Sequence, residues 1–191
     1  MDAQELLQAL RELTEKNRQQ AIQFLGLKDE ELLTRIRPES WNILECLEHL
    51  NRYGALYIPE IGNRIQASKY KRSESFRSSW LGNYFAESML PKEKLNKMQT
   101  FKSMNPINAD LDRTVIDTFI DQQGKLLDLL KLAATTNLTK VKTAISITRW
   151  IKLRLGDTFR VVIYHNLRHI VQAEKVLIDL KSGKEREKAE V

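Results

Sequence analysis

Four stretches of this chain place apolar residues at three- and four-residue steps, and that period restricts the fold more than any other feature. A helix turns ~100° per residue, so each stretch lines one helical face with apolar side chains and must bury it against another element. In residues 2–25 the stripe is Ala3, Leu6, Leu10, Leu13, Asn17, Ala21 and Phe24, and Gly26 marks its end. The second runs from Asn42 towards Ala67 along Ile43, Leu47, Leu50, Gly54, Tyr57, Ile58, Ile61 and Ile65. Asn42 is a good N-cap, with Glu45 three residues on where a capping box puts it. Pro59 removes a backbone donor inside this segment and predicts a kink near Ala55 to Pro59. The third covers about Asp110 to Ala134 along Leu111, Val115, Phe119, Gln122, Leu126, Leu129, Leu130 and Ala133. The fourth covers Thr158 to about Leu180 along Phe159, Val162, Ile163, Asn166, Ile170, Ala173, Val176 and Leu177.

Four long helices with mixed connections predict an all-α four-helix bundle with a kinked second helix. Seven Gly and four Pro in 191 residues suit that class, and the length fits one domain over residues 1–180. Residues 181–191 are charged and without periodicity, which predicts a disordered tail. Between the long helices, Lys28 to Thr34 reads as one helical turn and Ser68 to Ser79 as a surface loop. Trp80 to Leu90 reads as a short helix ended by Pro91, after which the chain looks irregular through Asn108. Residues 138–156 are β-branched and basic and read as partly extended, with Gly156-Asp157 a turn into the last helix.

No apolar run approaches the ~20 residues that span a bilayer, and the N-terminus lacks a basic segment followed by an apolar one. The expected location is cytoplasmic, without a membrane partner. Cys46 is the single cysteine, so no intrachain disulfide forms. The net charge of +6 permits weak attraction to nucleic acid. Its basic residues, among them Lys69, Lys71, Arg72, Arg149, Lys152 and Arg154, are spread along the chain and form no recognisable nucleic-acid module, so nucleic acid is not an expected partner.

The chain has three histidines. His165 and His169 lie four apart in the last helix and stack their imidazoles on one face, at a separation that one metal ion bridges. Such a pair is often two ordinary surface residues. Zinc-peptidase helices carry Glu directly after the first His, whereas Asn166 follows His165, which argues against that class. His49 lies about 120° from the centre of its helix's stripe. It joins the pair only if that helix is covered on two sides, or if the site is a cleft at the bundle's flank.

Neighbouring residues each admit two readings. Glu45 either completes the capping box or orients an imidazole and shuttles a proton; it is the one weak candidate for a catalytic residue. Cys46 is either a buried apolar side chain or a fourth ligand. Gln172 either contacts a histidine or faces a neighbouring helix. Trp41, Tyr53, Trp80, Tyr84 and Trp150 either wall a pocket or fill the core.

Ser40-Trp41-Asn42-Ile43-Leu44-Glu45-Cys46-Leu47-Glu48-His49-Leu50 resembles the tryptophan-to-histidine signature of the DinB-like superfamily. His165-Asn166-Leu167-Arg168-His169-Ile170-Val171-Gln172 is similar to that family's closing histidine pair and following glutamine. Asn42 stands where a serine is common, and Lys140 to Gly156 aligns with nothing in the family pattern. The resemblance implies His49, His165 and His169 as ligands of a divalent metal, zinc or nickel, with one coordination position open. It further implies hydrolysis of a small-molecule substrate, or transfer of a low-molecular-weight thiol onto an electrophile. The alternative is a non-catalytic, metal-stabilised bundle that binds a ligand or partner. A homodimer is the expected assembly.

Overall fold

A computed structural model describes residues 1–91, 100–146 and 150–189, with side chains as far as Gly183. The chain is mostly helical: α1 (Ala3–Phe24), α2 (Asp29–Leu33), α3 (Ile43–Gln66), α4 (Trp80–Met89), α5 (Thr114–Ala133) and α6 (Leu155–Ala189), with a short 3-10 turn at Lys102–Met104. Strands β1 (Lys142–Ala144) and β2 (Lys152–Arg154) form one antiparallel hairpin with Thr143 opposite Leu153. No helix among the described residues is long and apolar enough to cross a membrane. Residue 149, one of the basic residues noted in the sequence, lies outside the described residues.

The helix starts follow local chemistry. Asn42 Oδ1 accepts from the Glu45 N–H at 2.8 Å while Glu45 Oε2 accepts from the Asn42 N–H at 3.0 Å, which completes the expected capping box. Helix α3 runs through Pro59. Helix α5 begins at Thr114, not near Asp110, because Asp112 Oδ1 accepts from the Thr114 N–H and sets an Asx turn there. Helix α6 begins at Leu155, so Gly156 and Asp157 are in its first turn instead of forming a turn ahead of it. Its backbone also continues past Leu180 to Ala189, where the sequence predicts a tail without regular structure; Lys, Glu, Arg and Ala there are strong helix formers.

Helices α1 and α3 each pack against both α5 and α6. Two apolar clusters fill the space between them. One joins Leu6 and Leu10 to Tyr57, Ile61, Leu126, Leu130, Phe159 and Ile163. The other joins Ala21 and Phe24 to Ile43, Leu47, Leu50, Ile116, Phe119, Ile170 and Val176. Where each long helix passes from one cluster to the other it carries buried polar side chains: Thr14 and Asn17, Asn51, Gln123, and Asn166. Asn166 Nδ2 donates to Gln123 Oε1 at 3.2 Å, Asn51 Nδ2 to the Val115 carbonyl at 2.9 Å, and Asn17 Nδ2 to the Ile163 carbonyl at 3.5 Å. A polar layer thus crosses the molecule at the level of the histidines. A third, smaller cluster places Phe85 and Met89 of α4 against Ile145, Leu153 and Val161.

Candidate metal centre

The first half of α3 is buried almost all round, from Ile43 to Leu47 and again from His49 to Asn51. The condition on His49 is therefore met: its helix is covered on more than one side, and the residue is 3% exposed. His165 and His169 reach it from α6. His49 Nε2 lies 3.2 Å from His165 Nε2, and His169 Nε2 lies 3.1 Å from the same atom. One ligand atom from each of the three falls within 4.8 Å of the others.

Hydrogen bonds settle the tautomers of two of these rings. His49 Nδ1–H donates to the Met104 carbonyl at 2.8 Å, and His169 Nδ1–H donates to Gln172 Oε1 at 2.9 Å. A neutral imidazole carries one N–H, so both Nε2 atoms present lone pairs to His165 Nε2. A proton on His165 Nε2 satisfies one of them and leaves the other acceptor without a donor; without that proton, all three nitrogens present lone pairs to one another. A divalent cation among the three nitrogens removes that conflict. The donor set fits one: with Zn–N bonds of about 2.0–2.1 Å, ligand nitrogens of a tetrahedral site lie about 3.3 Å apart.

Burial holds the imidazoles neutral. It pushes His49 down to about 4, helped by the Arg52 charge and opposed by the Met104 carbonyl. Burial and the nearby His49 push His169 to about 3 despite the Gln172 bond, and burial with both neighbouring histidines lowers His165 well below the ordinary value. Neutral imidazole is the form that binds a metal.

Aromatic rings fix the histidines from the sides. Trp41 packs on His49 at 4.7 Å and on His169 at 5.6 Å between centroids. Tyr53 meets His49 and His165, each at 5.0 Å. Trp41 Nε1–H donates to Asn105 Oδ1 at 3.1 Å, and Arg52 Nη1 donates to the Ser103 and Asn105 carbonyls at 3.3 and 3.1 Å. Both contacts clamp the turn that offers the Met104 carbonyl.

Of the aromatic residues singled out in the sequence, Trp41 and Tyr53 line the site. Trp80, Tyr84 and Trp150 stand on the surface, at 83%, 60% and 94% exposure. Cys46 is fully buried in the second apolar cluster, and burial pushes its thiol far up, so it behaves as an apolar side chain. Glu45 accepts from Arg35, from the Asn42 N–H and, at 2.9 Å, from the Asn108 N–H. Gln172 takes the histidine-contacting role. The Met104 carbonyl is a site group that no side-chain pattern signals, since any residue type offers a carbonyl. The histidines open onto a cavity of about 810 Å³.

A mostly helical chain with three histidine nitrogens converging in its interior is of the class that could hold a divalent metal. A family model of the DinB superfamily matches residues 13–173, across all three histidines, and the chain belongs to that superfamily. Neither the curated proteins nor the solved structures include a match to it.

Proposed function

We propose that this protein is a metal-dependent enzyme, a hydrolase or a thiol-dependent transferase acting on a small electrophilic molecule. His49, His165 and His169 hold zinc or nickel, and the side facing the cavity stays open to water, thiol or substrate. The observation that carries this reading is the convergence of three imidazole nitrogens whose protons cannot satisfy one another. In this reading the four long helices act as the family's bundle, and Pro59, inside α3, is where that helix bends.

When bound, such a metal lowers the pKa of a coordinated water or thiol and polarises a carbonyl. The chain's own residues prepare the site. Met104 and Gln172 hold two imidazoles in the tautomer that turns Nε2 inward. Trp41 and Tyr53 fix the ring planes and keep water from the flanks of the imidazoles. Asn166 ties the α6 segment between the two histidines to Gln123 of α5.

A second reading, a non-catalytic metal-stabilised bundle that binds a ligand or partner, is favoured by one observation. Glu45, one turn before His49, already serves Arg35 and two backbone donors, and Glu48, next to His49, accepts from Arg52 at 2.8 Å, so neither is left to act as a base. Elemental analysis of the purified, tag-free protein beside His169→Ala tests both readings. About one zinc or nickel per chain, lost in the variant, is the expected result and justifies screening thiol donors against electrophiles. Metal-free protein whose stability ignores added zinc and nickel would sink both readings and leave the bundle a binding module without metal. The proposed assembly is a homodimer, which light scattering checks.

A further inference from the structure

Helix α6 lines the cavity from Val161 to Asp179, a run of about 27 Å at 1.5 Å per residue. His165 and His169 stand partway along it, and the two ends differ in chemistry. Towards Asp179 the walls carry Arg37, Glu39, Lys175 and Asp179, charges of both signs. Towards Val161 they are Tyr57, Phe85, Met89, Ile145, Leu153 and Val161.

Polar groups at that second end already bond one another. The Ser146 N–H donates to the Tyr57 hydroxyl at 3.1 Å, and that hydroxyl donates to Ser146 Oγ at 3.1 Å. The Ala144 N–H of β1 donates to Glu60 Oε1 at 2.8 Å. Arg168 stands at the level of the histidines, with Nη1 3.4 Å from the Leu90 carbonyl. A polar ligand group placed among these walls exchanges water for a lining that, among the described residues, is mostly hydrocarbon, whereas an apolar one gains burial.

We infer that the Val161 end is a hydrocarbon chamber and that the ligand of this site is an amphiphile. An alkyl or aryl group fills the chamber, a metal-binding head meets the histidines, and any polar remainder faces the charged mouth. Only the head group's placement rests on the proposed metal; the chamber stands on its walls.

Two titrations separate the chamber from the metal. In the first, metal-stripped protein takes up the neutral fluorophore N-phenylnaphthylamine, and n-alkanols from butanol to octanol displace it. Displacement should tighten about fourfold per added methylene, and should flatten in Met89→Glu. No uptake, displacement blind to chain length, or an unchanged series in Met89→Glu overturns the chamber. In the second, zinc-equilibrated protein is titrated calorimetrically with hydroxamates from aceto- to octanohydroxamate. The same gain per methylene is expected, and hydroxamates that bind equally at every length overturn the amphiphile. Hydroxamates that fail to bind at all, beside an intact alkanol series, would reject the metal and uphold the chamber.

Discussion

Glu45 gives its oxygens to the fold, receiving the Arg35 guanidinium and the N–H groups of Asn42 and Asn108. Burial alone raises its pKa, but these partners outweigh it and hold the carboxyl below the ordinary 4.5. A depressed carboxylate contributes stability that is complete above 4.5 and is lost as the pH falls through the folded value. Glu45→Gln should therefore cost about 3 kcal/mol at neutral pH and flatten the acid limb of stability, which urea melts across pH 3 to 7 read out, a range chosen about that value. Gln172 works on the candidate metal centre from one side: its carbonyl oxygen orients His169. Replacing it by Ala should weaken zinc affinity roughly 10–100-fold with the fold intact, measured by competition with a chromophoric chelator. His49 has no such handle, because its orienting group is a backbone carbonyl.

Helix α6 is anchored at its first turn. Asp157 accepts from the Ser79 N–H and hydroxyl, each at 3.0 Å, and from the Ser78 hydroxyl, with Arg160 at 3.5 Å. Gly156 lets Phe76 pack onto the same turn: a Cβ there would lie 2.5 Å from the Phe76 ring. Gly156→Ala should destabilise the protein by about 1–3 kcal/mol through that clash, visible as a lower urea midpoint at unchanged slope. From sequence that glycine reads as a turn, since a close approach from Phe76, far away in the chain, leaves no local mark. What was legible were the period of the long helices, the Asn42 and Glu45 cap, and the spacing of His165 and His169, all set by neighbours within one helix. What was not legible was set by distant partners, as with the Met104 carbonyl and the packing of the β1–β2 hairpin under α4. The surface positions of Trp80 and Tyr84 belong with these. The two rings stack on each other at 6.2 Å on the outer side of α4, while Leu81, Phe85 and Met89 take the inner side.

Across the whole molecule, the polar layer divides the core and places the histidines between two apolar clusters. A metal there would tie α3 to α6 at mid-height. Zinc at 100 times its dissociation constant should add about 2.7 kcal/mol and raise the melting temperature by roughly 5–10 °C, as scanning calorimetry with and without zinc reads directly; His169→Ala should abolish the shift. The two tied helices also impose an order in time. His49 and His165 are 116 residues apart, and at roughly 5–20 residues per second on the ribosome His49 emerges on the order of ten seconds before its partners. Throughout that interval the nascent chain holds a single imidazole and cannot close the site. A metal held by all three histidines would therefore be captured only once α6 has been made, and a loaded centre would report that this last long helix is in place.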